Sequence, residues 1–310
     1  NLFTLGSTRV LSNMSDIIDF DPGSGVYNLN ASGTWVQKLD SIGNFKKAIV
    51  INNISLPNIH CDFQDNIIIC GNFITTTDFD PGPGVYNLTS TTTGNNNMSV
   101  FNPFVLKLDS DLNFLWVETI NSRGVKSSVV DKFGNIYITG LSTTSFDADP
   151  GPAVFNLNAG TYIIKLDENG NFIWGKRFDL QYMNYYSTSS SFTQASTCNT
   201  VAVDDDLNVY ITGNLDGTVD FDPGPGVYNL SSSPGSGSTS DIAQVKLDSL
   251  GNLVWAVIAA GSNAEEKSSS ISVDENGNVF STGFIRGGTQ TDIDPGPDTV
   301  IVESGWFDDI

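Results

Sequence analysis

Positive charge is what this 310-residue chain has least of: 14 lysines and arginines stand against 35 acids, for a formal net charge of −21. A nucleic-acid binder neutralises phosphates with Lys and Arg, so that class is excluded as a partner. Histidine is reduced to His60, and no Ser-His-Asp arrangement can be built around it. No apolar run reaches the roughly 18 residues a membrane-spanning helix needs, so membrane insertion is not expected. The three cysteines, Cys61, Cys70 and Cys198, are odd in number and lack metal-like spacing. They are expected as free thiols packed as small hydrophobes. Charged residues of both signs are also sparse, at 16%, whereas apolar content is 39%. That balance gives a globular core rather than a disordered acidic tail.

What the chain does have is aspartate beside Gly, Pro and Asn, in a repeating order. Asp19-Phe-Asp-Pro-Gly-Ser-Gly-Val-Tyr-Asn-Leu29 returns at Asp78–Leu88, at Asp147–Leu157, at Asp220–Leu230 and, more weakly, from Asp292. The period is about 60–73 residues. Two further motifs recur in register with it. One is Lys-Leu-Asp, at Lys38, Lys107, Lys165 and Lys246. The other is Val130-Asp-Lys-Phe-Gly-Asn-Ile-Tyr-Ile-Thr-Gly140, matched at Val203–Gly213, Val273–Gly283 and loosely Cys61–Gly71.

Alternation and turn chemistry divide each repeat into four short strands, a to d. In the third repeat these are Ser127–Asp131, Asn135–Gly140, Tyr162–Asp167 and Asn171–Phe178. The a-b and c-d connections share the formula Asp-x-x-Gly-Asn or a close relative, in which Gly supplies positive φ and Asp and Asn bond nearby backbone. The Asp-Pro-Gly segment falls in the longer b-to-c connection, where Pro interrupts any ladder. Repeated four-stranded antiparallel units predict an all-β chain, a β-propeller built from four-stranded blades of about 60–73 residues. The expected repeats are 1–57, 58–124, 125–194, 195–264 and an incomplete 265–310. Both ends fall inside a repeat, so the expectation is a single propeller seen as an arc of a longer chain.

The order of Val130–Gly140, then Lys165–Asp167, then Gly170-Asn-Phe-Ile-Trp174, resembles bacterial β-propeller repeat proteins of the seven-bladed family, abundant among secreted proteins of the Bacteroidota. The Asp-Phe-Asp-Pro-Gly loop resembles a variant found in large multi-repeat secreted proteins. The resemblance implies an extracellular or cell-surface location.

The repeated acid pairs, Asp19 and Asp21, Asp78 and Asp80, Asp147 and Asp149, Asp220 and Asp222, and Asp292 and Asp294, are the candidate metal ligands. In extended chain, residues i and i+2 project to one side. Phe20, Phe79, Phe221 and Ile293 between them face the core. Two carboxylates with nearby carbonyls offer the hard oxygens that Ca²⁺ takes. The alternative is that Asp before Pro-Gly only caps its own turn. Trp116, Trp174 and Trp255 on strand d are expected to pack between blades, with Lys47 in their place in the first repeat. The four lysines before Leu-Asp are expected to lay their stems over neighbouring strands and pair with turn aspartates. The segment least like the repeat carries Tyr182, Tyr185, Tyr186 and Phe192, the candidate partner-binding patch. A pair repeated in every unit is architecture, whereas an active site needs one asymmetric constellation, so catalytic residues are not expected. The function expected is a non-enzymatic scaffold binding protein or glycan at the cell surface. The alternative is a glycan-binding or glycan-processing propeller whose active residues lie outside this stretch.

Overall fold

The computed structural model describes residues 1–7, 17–30, 33–90, 101–178, 197–233, 240–261, 265–286 and 290–303. Among them every regular element is a strand, all pairing is antiparallel, and no sheet closes on itself. The chain divides into two compact units, Asn1–Gly124 and Val125–Ile310.

The first unit holds β1 (Leu2–Ser7), β2 (Ile17–Asp19), β3 (Asn28–Asn30), β4 (Thr34–Leu39) and β5 (Phe45–Ile51). They are followed by β6 (Ile54–Cys61), β7 (Ile67–Phe73), β8 (Thr76–Asp78), β9 (Asn87–Thr89), β10 (Asn102–Leu108) and β11 (Phe114–Thr119). Two sheets result, β1-β4-β5 and β6-β7-β10-β11, each accompanied by a small hairpin, β2/β3 or β8/β9.

The second unit begins with β12 (Val125–Val130), β13 (Ile136–Ser142), β14 (Phe146–Asp147), β15 (Asn156–Leu157), β16 (Gly160–Leu166) and β17 (Phe172–Phe178). It continues with β18 (Thr197–Val203), β19 (Val209–Leu215), β20 (Thr218–Asp220), β21 (Asn229–Ser231), β22 (Asp241–Leu247) and β23 (Leu253–Gly261). Last come β24 (Glu265–Val273), β25 (Val279–Arg286), β26 (Gln290–Asp292) and β27 (Ile301–Glu303). The order β12-β13-β16-β17 is the a-b-c-d meander expected for the third repeat. The fourth repeat runs β18-β19-β22-β23 and is extended by β26-β27, because β23 continues far enough to pair Ala260 with Asp292.

The b-to-c connection is more than the interrupted loop expected from its proline. It forms a hairpin of its own, as when Thr76, Thr77 and Asp78 pair with Thr89, Leu88 and Asn87. Pro81 lies at the tip, outside the ladder, where no N-H is required.

Within each unit successive sheets pack face to face. Val36, Ile49 and Ile51 of the first repeat share one core with Ile67, Ile69, Phe104 and Leu106 of the second. Tyr137, Ile163 and Phe178 of the third share another with Val201, Ile211 and Val245 of the fourth. In the second and third repeats the central strands are therefore covered on both faces, and β7, β10 and β16 are buried along their whole length. Each fully buried Ile or Leu contributes about 1.5–3 kcal/mol relative to exposure. Trp174 reaches across to the next repeat, where its Nε1 donates to Ser249 O at 3.2 Å. Trp255 packs against the same buried cluster of Ala202, Tyr210 and Ile271 as Val273 and Val279 of the repeat that follows. In the first repeat Lys47 does the corresponding work, its Nζ donating to Asp111 O at 2.6 Å. The three thiols are free, but Cys61 is exposed at the end of β6, contrary to expectation, and only Cys70 and Cys198 are buried. Burial pushes the Cys198 thiol up to about 12.

Eight tight turns close the a-b and c-d hairpins by one scheme. Asp40, Asp62, Asp109, Asp131, Asp167, Asp204, Asp248 and Asp274 each accept, on Oδ1, the backbone N-H of the Asn four residues on, at 2.8–2.9 Å. Oδ2 accepts that Asn's side-chain amide at 2.8–3.1 Å. The residue three after each Asp has φ between 61° and 86°: glycine in five turns, Asp65, Leu112 and Leu207 in the others. Gly43 has φ 86° and nothing within 4 Å of where a Cβ would stand, so Gly43→Ala tests the backbone alone. The substitution is expected to cost about 1 kcal/mol, measured by urea unfolding, with no change in circular dichroism.

Candidate functional site: the aspartate hairpins and a buried carboxylate

The five small hairpins bring each acid pair to a loop of almost invariant geometry. The first aspartate is a clamp across the loop. Asp19 Oδ1 accepts the N-H of Asp21 at 3.1 Å and of Tyr27 at 2.8 Å. Asp78 does the same with Asp80 and Tyr86, and Asp147 with Asp149 and Phe155. Asp220 takes Asp222 and Tyr228, and Asp292 takes Asp294 and Val300. The second aspartate caps the tip: Oδ1 of Asp21, Asp80, Asp149, Asp222 and Asp294 accepts the N-H two residues on at 2.7 Å. A backbone bond completes each loop, as in Phe79 N to Tyr86 O at 3.0 Å.

The residue between the two acids anchors the loop. Phe20, Phe79, Ala148 and Phe221 are buried, and Phe79 lies 4.9 Å from the Phe104 ring of strand c. Ile293, expected inward as well, is 45% exposed in the fifth copy. Asp21 Oδ2 occupies the space a side chain on Gly25 would need, and the same holds for Asp80 over Gly84 and Asp222 over Gly226. Ala153 and Asp298 stand at this position in the other two copies. Both carboxylates of every pair are thus engaged with their own loop. Among the described residues no group of three or more His, Cys, Asp or Glu side chains gathers at metal-ligand spacing.

The lysines divide between two partners. Lys107 Nζ meets Asp62 Oδ2 at 2.9 Å, both side chains almost fully buried, and Lys246 stands 3.9 Å from Asp204 Oδ2. Burial opposes ionisation of Asp62, but the bonds from Lys107 and Asn66 outweigh it and hold the carboxyl below its usual range. Lys165 and Lys246 each lie 4.8 Å from a ring centroid, Tyr137 and Tyr210 respectively, whose hydroxyls donate to Asp131 and Asp204. Lys38 instead reaches Asp111, in the c-d turn of the next repeat, at 2.9 Å.

One constellation departs from the repeat and was not singled out from the sequence. Glu266 on β24 is fully buried. Its Oε1 accepts from Thr291 Oγ1 at 2.7 Å, whereas among the described residues Oε2 has no hydrogen-bond partner. Asp241, buried nearby, accepts Ser233 N at 2.6 Å. Burial, with the Asp241 charge adding to it against the bond from Thr291, raises the Glu266 carboxyl to about 7. The available signals were the chain's one Glu-Glu pair, Glu265-Glu266, and Asp241 where other repeats have Gly33, Asn102 and Gly160. Tyr182, Tyr185, Tyr186 and Phe192 lie outside the described residues.

Two outcomes are expected. Asp78→Ala leaves two loop N-H groups without their acceptor and costs about 1–3 kcal/mol in chemical denaturation, with Asp78→Asn recovering part of it. For Glu266 the folded pKa lies above the unfolded value of 4.5, so its contribution to stability is complete below about 4.5 and lost as pH rises through about 7. Glu266→Gln therefore stabilises by about 2 kcal/mol at pH 8 and by little at pH 4.5, read from denaturation midpoints across that range.

Compared with protein-family models and with curated proteins, the chain matches none.

Proposed function

We propose that this chain is a non-enzymatic β-propeller scaffold, secreted or displayed at the cell surface, that binds protein or glycan through its loops. Support for the propeller comes from arrangement inside the second unit. There, strand a of the third repeat lies beside strand a of the fourth, and that beside strand a of the fifth, while meander sheets stack face to face. Radially repeated four-stranded meanders pack in this way, with first strands toward a common axis. The sequence resemblance to secreted bacterial propeller repeats points the same way and supplies the expected location.

The observation that carries the non-enzymatic reading is the fate of the acids. Ten loop aspartates, the obvious catalytic inventory, spend an oxygen each on neighbouring backbone in five near-identical copies. For the same reason the turn reading of the pairs is preferred to the calcium reading, in which the remaining oxygens hold Ca²⁺. Thermal melting with calcium and with EGTA separates the two: an unchanged midpoint is expected, and an EGTA-reversible rise restores the cation. A glycan array run beside a glycosidase screen on the 310-residue chain tests the scaffold reading. Turnover in that screen would sink it.

A further inference from the structure

The first four small hairpins each carry a valine followed by an aromatic residue: Val26-Tyr27, Val85-Tyr86, Val154-Phe155 and Val227-Tyr228. The valines are 69–73% exposed, and Tyr86, Phe155 and Tyr228 are 40–44% exposed. All four hairpins belong to repeats whose c and d strands are both in place. The apolar surface extends past the valine, because Tyr27, Tyr86 and Phe155 lie against Phe45, Phe114 and Phe172 at the start of strand d, with ring centroids 4.8–4.9 Å apart. The loop itself does not require the valine. The fifth copy closes by the same three carboxylate bonds and the same backbone bond with Thr299 in the valine's place and Val300 in the aromatic's. A β-branched polar residue therefore satisfies the backbone, and the valine-aromatic shelf kept in water on the other four hairpins has the character of a contact surface.

The acids beside the shelf indicate what would cover it. Within the four loops every bond to the paired aspartates falls on Oδ1, and among the described residues none takes Oδ2. In three of the loops the second aspartate's Oδ2 lies over the glycine just before the valine, as Asp80 Oδ2 does over Gly84. The first aspartate holds the N-H of the aromatic residue itself, at 2.8 Å in every copy. An aromatic ring and an aliphatic side chain flanked by carboxylate oxygens complement arginine, whose guanidinium stacks on a ring and pairs with a carboxylate while its stem covers apolar surface. A second copy of this chain is a poor source of that charge, since two molecules of net charge −21 repel.

We propose, resting on the scaffold reading, that the four valine-aromatic hairpin tips are docking sites for an extended, arginine-bearing segment of a basic partner protein. Each tip takes one arginine, its stem against the valine and its guanidinium between the ring and the paired aspartates.

The test titrates the 310-residue protein with a labelled peptide of about ten residues alternating arginine and serine, at physiological ionic strength, where charges more than about 8 Å apart are screened. Saturable binding is expected, with shifts in the methyl resonances of Val26, Val85, Val154 and Val227, each assigned by its single Val→Ser variant. Replacing all four valines by serine leaves the net charge unchanged and is expected to weaken binding by about tenfold or more. The four side chains are exposed, so that variant should melt like the parent; its melting curve checks this, and each single variant alone is expected to abolish binding at its own tip. The same peptide with glutamine for arginine is expected not to bind. Binding that the fourfold variant retains in full is attraction to an acidic surface and overturns the proposal, as does the absence of binding. A glycan-array hit on a protein that ignores the peptide overturns it as well, while leaving the scaffold reading standing.

Discussion

A carboxylate oxygen accepting backbone N-H groups inside a tight turn is the interaction on which the rest of this protein depends. An all-β chain of short strands reverses direction every few residues, and each reversal strands main-chain donors outside the ladder. Here aspartate meets them in both turn families. In the eight a-b and c-d turns it bonds the Asn that ends the turn. In the five small hairpins it reaches across eight residues to the far strand, as Asp78 does to Tyr86. The net charge of −21 follows from this demand. Aspartate is short enough to bond its own loop and, once ionised, has oxygens free of protons to receive several donors.

The scarcity of cations follows the same logic from the other side. Much of the negative charge is stabilised locally by N-H groups, so a counter-charge matters most where a turn aspartate is taken out of water. Asp62 is such a case, and Lys107 is buried with it. Removing either partner alone from a buried pair costs far more than the pair contributes, which ties strand c to the a-b turn of its own sheet. Lys38 and Lys47 tie the first repeat to the c-d turn of the second in the same unit. The lysine before Leu-Asp therefore acts as a staple whose partner varies while its position does not.

Repetition made most of the fold legible, because three motifs in fixed order carried the strand count and the turn chemistry. What stayed hidden was what falls below the length at which periodicity can be seen. β8 and β9 are three residues each, too short to alternate visibly, and Pro81 between them reads as a breaker although it sits harmlessly at the tip. Two turns that depart from the glycine formula still take the left-handed position, with Leu112 and Leu207 at φ 61° and 65°. Leu112 is buried in the first unit's core, so packing overrides the backbone preference there. Cys61 was misplaced because its strand ends at an exposed turn, a boundary that composition does not mark. The paired acids were visible as a pattern, but their bonding to the distant Tyr27 or Tyr86 depends on a hairpin closing, which is a tertiary fact.

Glu266 shows why the exceptions to a repeat are more informative than the repeat. Turn aspartates such as Asp62 and Asp204 are held below their ordinary pKa, so their support is present above about 3.8 and is lost as the solution becomes acid. Glu266 runs opposite, losing its contribution as pH rises toward 7. The two groups differ in what surrounds them: Asp62 has the Lys107 ammonium and the N-H donors of its turn, whereas Glu266 has Thr291, an oxygen with no partner among the described residues, and the charge of Asp241. Burial alone does not decide the sign, since Asp62 is buried as well. The supply of donors does, and the turns are built to provide them where strand β24 is not.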